Sequence, residues 1–190
     1  MRLLLYNIRY GIGARPTFQM PLPGVGYLSA DKTQLNKLIE FIRGSSSDIV
    51  GLIEVDTGSV RSGGLNQVQK ISQALGYDSS YQVKYGDASI NKLLPIIRMQ
   101  GNALLASSEI HNERFHYFDA GIKKLVIELE LEDCAVFLVH LSLKYRHRQV
   151  QMRHLYDLVK ASDKPVIVAG DFNTLWGDDE IFLFMKATGL

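Results

Sequence analysis

Short apolar runs that end in polar residues recur along this chain of 190 residues. The clearest run, residues 166–169, is β-branched and leads directly into Gly170, Asp171 and, two residues later, Asn173. A short and uniformly apolar segment predicts a strand covered on both faces. At its end, Gly170 lets the backbone bend, Asp171 brings a carboxylate and Asn173 brings an amide. Taken alone, the segment also fits a simple turn, since these residue types are frequent in turns.

Three further apolar runs end in the same way, at Asn7, Glu54 and His140. Each of these side chains can bind a metal, transfer a proton or contact a phosphate. In layered α/β proteins the ends of such strands converge on one rim, where ligands usually bind. We therefore predict that one cleft is lined by Asn7, Glu54, His140, Asp171 and Asn173.

The segments between these strands have the 3.6-residue period of amphipathic helices. A first helix is predicted from the spacing of the apolar residues Leu35, Leu38, Ile39 and Ile42, and further helices near residues 65–75, 146–161 and 179–187. Further strands are predicted near residues 80–84, 102–107, 114–118 and 124–131. Ser29 or Asp31 is suited to cap the first helix, and Gly44 to end it. Residues 14–27, rich in proline and glycine, predict a loop that is either a substrate flap or a simple connection.

Composition agrees with one domain over residues 1–190. A hydrophobic content of 46% suits a chain that buries a sizeable core. Twenty-one basic residues against 20 acidic ones exclude an overall field that attracts nucleic acid, although a local basic groove stays open. A single cysteine, Cys134, favours a reducing compartment. Without a convincing leader or an apolar run long enough to cross a bilayer, we expect a cytoplasmic protein with no transmembrane segment.

Five segments give this chain a resemblance to a known family: LLLYNIRYG around Asn7, DIVGLIEVD around Glu54, GNALLAS, VFLVHLS around His140 and VIVAGDFNT around Asp171. In this order they resemble the endonuclease/exonuclease/phosphatase superfamily of DNase-I-like, metal-dependent phosphoesterases. The resemblance implies a four-layer α/β sandwich, in which two facing mixed β-sheets are flanked by helices. It also implies hydrolysis of phosphoester bonds by metal-assisted attack of water on phosphorus.

The resemblance assigns a role to each strand-end residue. Glu54 would be the main ligand of Mg²⁺ or Mn²⁺, hard cations that prefer carboxylate and water oxygens. Asn7 would orient the shell of the cation or bind it through its carbonyl oxygen. Asp171 would position the water, Asn173 would contact the phosphate or support the base, and His140 would donate to a phosphate oxygen. In isolation, His140 is better interpreted as a packed histidine at a strand end than as a catalytic residue, and the motif context reverses this preference.

Two further residues are candidates for contacts with the phosphoester substrate. Arg9 follows the first strand, and its planar guanidinium suits phosphate oxygens. Trp176 follows the GDFNT segment and either stacks on a base or packs in the core. The HLSLKY segment, which begins at His140, disfavours the abasic-site endonuclease branch of the family. The substrate class stays open and includes nucleic acid; the alternative function is a noncatalytic phosphate- or nucleic-acid-binding module.

One family feature has no match in this sequence. Family members end with a Ser-Asp-His motif whose histidine acts as base, whereas this chain contains no Asp-His pair. We interpret the chain as lacking the last segment of the family, with a degenerate homologue as the alternative. The expectation is then low activity of the 190-residue form, together with an unpaired sheet edge that is available for self-association.

Overall fold

A computed structural model describes residues 1–11, 32–84, 97–121, 123–174 and 177–190 of the chain. The predicted loop at residues 14–27, both proposed caps of the first helix and Trp176 lie outside these residues. Eight strands are present in the described part: β1 Leu3–Asn7, β2 Ile49–Asp56, β3 Asp78–Val83, β4 Gln100–Ala106, β5 Asn112–Tyr117, β6 Leu125–Glu130, β7 Ala135–His140 and β8 Val166–Asp171. The helices there are α1 Lys32–Ser45, α2 Gln67–Leu75, α3 Tyr145–Lys160 and α4 Asp179–Thr188.

The strands form two mixed sheets of four strands each. The first has the order β1-β2-β4-β3, with β1 and β2 parallel and the other pairs antiparallel. The second has the order β5-β6-β7-β8, with only β7 and β8 parallel. Each sheet therefore carries one parallel pair. β7 and β8 end directly opposite each other, and β1 ends beside Ile53 of β2.

Three apolar layers separate the sheets and helices. Alternate side chains of β2, such as Val50 and Leu52, pack under α1 and α2, while Ile49 and Ile53 on the opposite face meet the second sheet. The outer face of the second sheet packs against α3 and Phe184 of α4. This arrangement confirms the predicted four-layer α/β sandwich, since strand residues of period two supply a core on each side.

The helices follow the predicted segments with one difference at α1. Asn66 caps α2 by accepting from the backbone N–H groups of Val68 and Gln69, and Gly76 ends it in a left-handed conformation. Gly44 was predicted to end the first helix, but α1 continues through it to Ser45, and Ser46 adopts the left-handed conformation instead. No helix of the described residues is both long enough and apolar enough to span a membrane.

The edge strands correct one prediction. Residues 166–169 were predicted to be covered on both faces, yet every residue of β8 is only partly buried. The reason is position, because β8 and β1 are each the last strand of their sheet. Leu5 and Tyr6 of β1 are exposed for the same reason.

Candidate active site

The two parallel strand pairs meet at one rim of the sandwich, where β8 contacts both β1 and β2. Asn7 at the end of β1 is paired with Ile53, the residue before Glu54. His140 at the end of β7 is paired with Asp171 at the end of β8. Parallel pairing thus brings the ends of neighbouring strands together within each sheet. The contacts of β8 with β1 and β2 then bring the two parallel pairs close to each other.

Glu54 lies on a β-bulge. The pairing of β2 with β4 shifts register between Ile53 and Val55, and Glu54 has a left-handed φ of 60°. Its backbone N–H donates to the side-chain oxygen of the buried Asn102 at 3.3 Å. A bulge leaves the extra residue unpaired and redirects its side chain, which is how β2 presents this carboxylate at its end.

His140 is buried and electrically neutral. Its side chain is 1% exposed, and burial, together with the nearby ammonium groups of Lys84 and Lys123, lowers its pKa to about 2. The Lys123 ammonium contacts Nε2 of His140, and since an ammonium only donates, Nε2 accepts. The same Nε2 lies 3.5 Å from Oδ2 of Asp171. Nδ1 of His140 is buried without a hydrogen-bond partner among the described residues.

Gly170 and Asn173 shape the segment around Asp171. A Cβ at Gly170 would lie 2.0 Å from the carbonyl oxygen of Val139, so β7 and β8 approach too closely for any side chain there. Oδ1 of Asp171 accepts from the backbone N–H of Asn173 at 3.1 Å. The Asn173 amide nitrogen donates to the carbonyl oxygen of Leu141 at 2.8 Å and ties this turn to the segment after β7.

Two lysines lie beside these groups. Lys84 directly follows β3, is 4% exposed and donates to the hydroxyl oxygen of Tyr10 at 3.2 Å. Burial lowers its pKa to about 8, while Glu54 and Asp171 oppose this shift. Burial also lowers the pKa of Lys123, again against Asp171 and Glu54. Both ammonium groups therefore lie within the electrostatic range of both carboxylates.

Left-handed backbone conformations of non-glycine residues concentrate here. Among the described residues such conformations occur at Arg9, Tyr10, Glu54 and Asn173, and outside this rim at Ser46. Each costs free energy that the surrounding structure must offset, and such residues cluster at functional sites.

The sequence profile of the Endonuclease/Exonuclease/phosphatase family matches residues 4–190. The chain belongs to this family. Membership confirms the resemblance drawn from the five sequence segments and supports a hydrolase of phosphoester bonds at the level of the family. A comparison with curated proteins returned no match.

Several solved structures are similar to this member of the family. A functionally unknown conserved protein from Enterococcus faecalis V583 has a TM-score of 0.71 at 14% identity, and the match covers 98% of this chain and 72% of that one. The human Nocturnin catalytic domain, solved with a bound sulfate anion, has a TM-score of 0.65 at 20% identity, covering 99% and 70%. ANGEL2, a 2',3'-cyclic phosphatase, has a TM-score of 0.61 at 16% identity, covering 93% and 53%. At these identities the likeness establishes the fold.

Of the two predicted substrate contacts, Arg9 and Trp176, the structure describes only Arg9. Arg9 is exposed, and together with Asn7 and Tyr6 it lines an open cavity of about 200 Å³ beside β1 and α1. Its backbone N–H donates to the side-chain oxygen of Asn7 at 3.1 Å. Trp176 lies outside the described residues. The contact with substrate therefore stays a prediction for both residues.

Asp56 shares the end of β2 with Glu54 but is held in a buried network with Arg61, whose guanidinium carbon lies 4.2 Å from the centre of the Tyr10 ring. It is fully buried and forms an ion pair with Arg61 at 2.8 Å. Burial raises its pKa, but hydrogen bonds from Ser59, Gly58 and Arg61 outweigh burial and leave the pKa lowered. The charge of Asp56 is therefore balanced within the fold by Arg61.

Oxygen donors dominate the site. Within the described ranges no group of three or more histidine, cysteine, aspartate or glutamate side chains is arranged to hold a metal ion. What the rim offers is the carboxylate of Glu54 and the amide oxygen of Asn7 from adjacent strands. A hard cation that keeps several waters needs no more than one or two protein carboxylates.

Sequence reasoning missed Asn102, Lys84 and Lys123. Asn102 lies within the GNALLAS segment, but its role depends on the bulge at Glu54, which the sequence does not reveal. The two lysines sit at the border of predicted strands, where charged residues are normally solvated. Burial of Lys84 depends on packing that no local pattern reveals.

Proposed function

We propose that this chain is a divalent-metal-dependent hydrolase of phosphoester bonds that acts by attack of water on phosphorus. The observation that carries the proposal is the convergence of Glu54, His140 and Asp171 from both sheets at one rim, beside two lysine ammonium groups. Such a site combines carboxylates for a cation with donors for phosphate oxygens, as phosphoester cleavage requires. Family membership supports the same class of reaction.

The residues present fit Mg²⁺ or Mn²⁺. The bulge leaves the backbone of Glu54 outside the ladder between β2 and β4, and Asn7 contributes an amide oxygen that accepts one backbone N–H. Both are hard oxygen donors. When bound there, the cation would neutralise charge on the nonbridging oxygens of the phosphoryl group.

Asp171 is the group proposed to position the attacking water. Its side chain is 36% exposed, and Oδ1 already accepts from Asn173, so Oδ2 is the oxygen that faces His140 and the open rim. Asn173 has one amide hydrogen engaged with Leu141, which leaves the second for a phosphate oxygen.

His140 is proposed to donate to a phosphate oxygen from Nε2. In the structure Nε2 accepts from Lys123, so this role requires the ring proton on Nε2 and the Lys123 ammonium turned toward the phosphate. The low pKa keeps the ring neutral, and a neutral imidazole has one donor nitrogen.

The test is a screen of phosphomonoesters, phosphodiesters and oligonucleotides with Mg²⁺ and with chelator. We expect low turnover, since the sequence contains no Asp-His pair, and this turnover should need Mg²⁺ and fall by about 10²–10⁴-fold in Glu54→Gln and Asp171→Asn. Glu113→Gln and Asp157→Asn, at exposed positions, are the matched controls and should retain activity. Turnover that survives chelation and both substitutions would contradict the proposal. Metal-dependent phosphate binding without turnover of any substrate would favour the noncatalytic binding module.

A further inference from the structure

The two lysines of the rim come from different sheets. Lys84 directly follows β3 of the first sheet, and Lys123 lies two residues before β6 of the second. Lys84 is nearly inaccessible to solvent, and Lys123 is half-buried against His140. A buried ammonium is costly unless acceptors replace its lost water, so both positions need an explanation.

Neither ammonium uses its donors fully. An ammonium has three N–H donors. Within the part of the chain that the structure describes, Lys84 donates to the Tyr10 hydroxyl and Lys123 to His140 Nε2. Neither acceptor carries a negative charge. The two nearby carboxylates, Glu54 and Asp171, act on both lysines through space.

Buried groups hold both lysines in place. Gln151 is fully buried, and its amide nitrogen donates to the carbonyl oxygens of Lys123 at 2.7 Å and Ala120 at 2.9 Å. Its side-chain oxygen accepts from the backbone N–H of Ser142 at 2.8 Å, two residues after His140. Lys123 is thus fixed relative to the histidine by one side chain.

Lys84 is fixed from the other side. Its backbone N–H donates to the carbonyl oxygen of Gln100 at 2.8 Å. The Tyr10 hydroxyl, which accepts from the Lys84 ammonium, donates to the side chain of Gln100 at 3.1 Å. The ammonium also lies 5.3 Å from the centre of the Tyr10 ring.

The charges of the rim balance before any ligand binds. Glu54 and Asp171 offset Lys84 and Lys123, Arg61 near Lys84 is offset by its ion pair with Asp56, and His140 is neutral. One divalent cation would leave an excess of two positive charges. A phosphomonoester dianion cancels that excess, whereas a phosphodiester monoanion leaves one charge uncompensated in a partly buried site. Arg9 is exposed to solvent and lines the cavity beside β1 and α1.

Resting on the proposed function, we propose that Lys84 and Lys123 bind the nonbridging oxygens of a dianionic phosphoryl group, so that the substrate is a phosphomonoester or a terminal phosphate. The phosphoryl group takes the unused N–H donors of both ammonium groups. Lys123 then leaves Nε2 of His140, which becomes free to face the same group. With a pKa of about 8, Lys84 is mostly protonated at neutral pH and is available as a cation.

The experiment compares two anions that differ by one charge. Binding of inorganic phosphate and of dimethyl phosphate is measured by calorimetry at about pH 7.5, with Mg²⁺ and with chelator. We expect phosphate to bind at least about tenfold more tightly than dimethyl phosphate. Lys84→Met and Lys123→Met should each weaken phosphate binding by about 10- to 100-fold and dimethyl phosphate binding by less, because a charge-assisted hydrogen bond is lost.

Matched controls separate this role from general loss of charge. Lys124→Met removes the neighbouring lysine of the same segment, whose ammonium donates to the carbonyl oxygen of Asp119. Lys70→Met removes an exposed lysine of α2. Both should leave phosphate binding unchanged. Lys123→Arg keeps the charge and should retain most of the phosphate binding. If Lys84→Met fails to fold, the comparison of Lys123→Arg with Lys123→Met still tests the proposal.

Equal affinities for the two anions, or unchanged phosphate binding in both methionine variants, would overturn the inference. The readout does not need turnover. Lysine-dependent phosphate binding by a chain that hydrolyses nothing would uphold the two lysines as a binding site for a dianionic phosphoryl group and defeat the proposed hydrolase. Glu54-dependent hydrolysis that ignores both lysines, with diesters preferred, would uphold the hydrolase and defeat the lysine pair.

Discussion

Nε2 of His140 lies 3.5 Å from Oδ2 of Asp171, and the two residues are direct partners across the parallel strands β7 and β8. The pair is not an ion pair, because burial and two ammonium groups keep the ring neutral. Strand register therefore holds the histidine beside the carboxylate, and the fold bears the cost of keeping the imidazole uncharged. This relationship has measurable consequences for stability.

The first prediction concerns acid. The pKa of His140 falls from 6.5 to about 2 on folding, so below pH 6.5 the unfolded chain binds a proton that the folded chain does not. The neutral His140 therefore costs no stability above about pH 6.5, and the free energy of unfolding decreases as the pH falls below this value. We expect the wild-type protein to lose about 1.4 kcal/mol per pH unit relative to His140→Gln below that pH, measured by urea unfolding. The control is His111→Gln at an exposed position, and parallel curves for wild type and His140→Gln would refute the assignment.

The second prediction concerns the close approach of β7 and β8. Alanine at Gly170 would place its Cβ 2.0 Å from the Val139 carbonyl oxygen, so the strands must separate. Gly170→Ala should destabilise the fold by roughly 2–4 kcal/mol. Gly44→Ala is the matched control, because nothing lies within 4 Å of its added Cβ, inside α1. It should stabilise the protein by about 0.5–1 kcal/mol. Equal thermal unfolding of the two variants would contradict the close approach of β7 and β8 at Gly170.

Sequence patterns located the strands and the polar residues at their ends, because period and strand-end chemistry are local properties. The runs before Glu54 and His140 are examples, since each became a strand that ends at or just after the polar residue. The same patterns failed for β8, whose apolar residues gave no sign that it is an edge strand. The burial of Lys84 could not be predicted from the local sequence, because it arises where the two sheets meet.

The third prediction concerns the buried pair of Asp56 and Arg61, both inaccessible to solvent. Arg61→Met removes the cation and leaves a carboxylate buried without its partner. The cost should be about 3–5 kcal/mol in the free energy of unfolding. Arg43→Met breaks an exposed pair with Glu40 and should cost about 1 kcal/mol or less. Denaturant unfolding of both variants decides the matter, and a loss at Arg61 no larger than at Arg43 would count against it.

The last prediction separates stability from function at Lys84. Its pKa is 10.5 in the ordinary state and about 8 in the fold, so between these values the unfolded chain holds more protons and stability rises with pH. Below about pH 8 the buried ammonium costs up to about 3 kcal/mol. Lys84→Met should therefore be more stable than wild type at pH 7, and the difference should shrink toward pH 10, while Lys70→Met should show no such change. Thermal unfolding across this range measures it. If the difference in stability between Lys84→Met and wild type stays constant with pH, Lys84 does not titrate at a lowered pKa. The buried ammonium then does not destabilise the fold, and its burial needs no functional explanation.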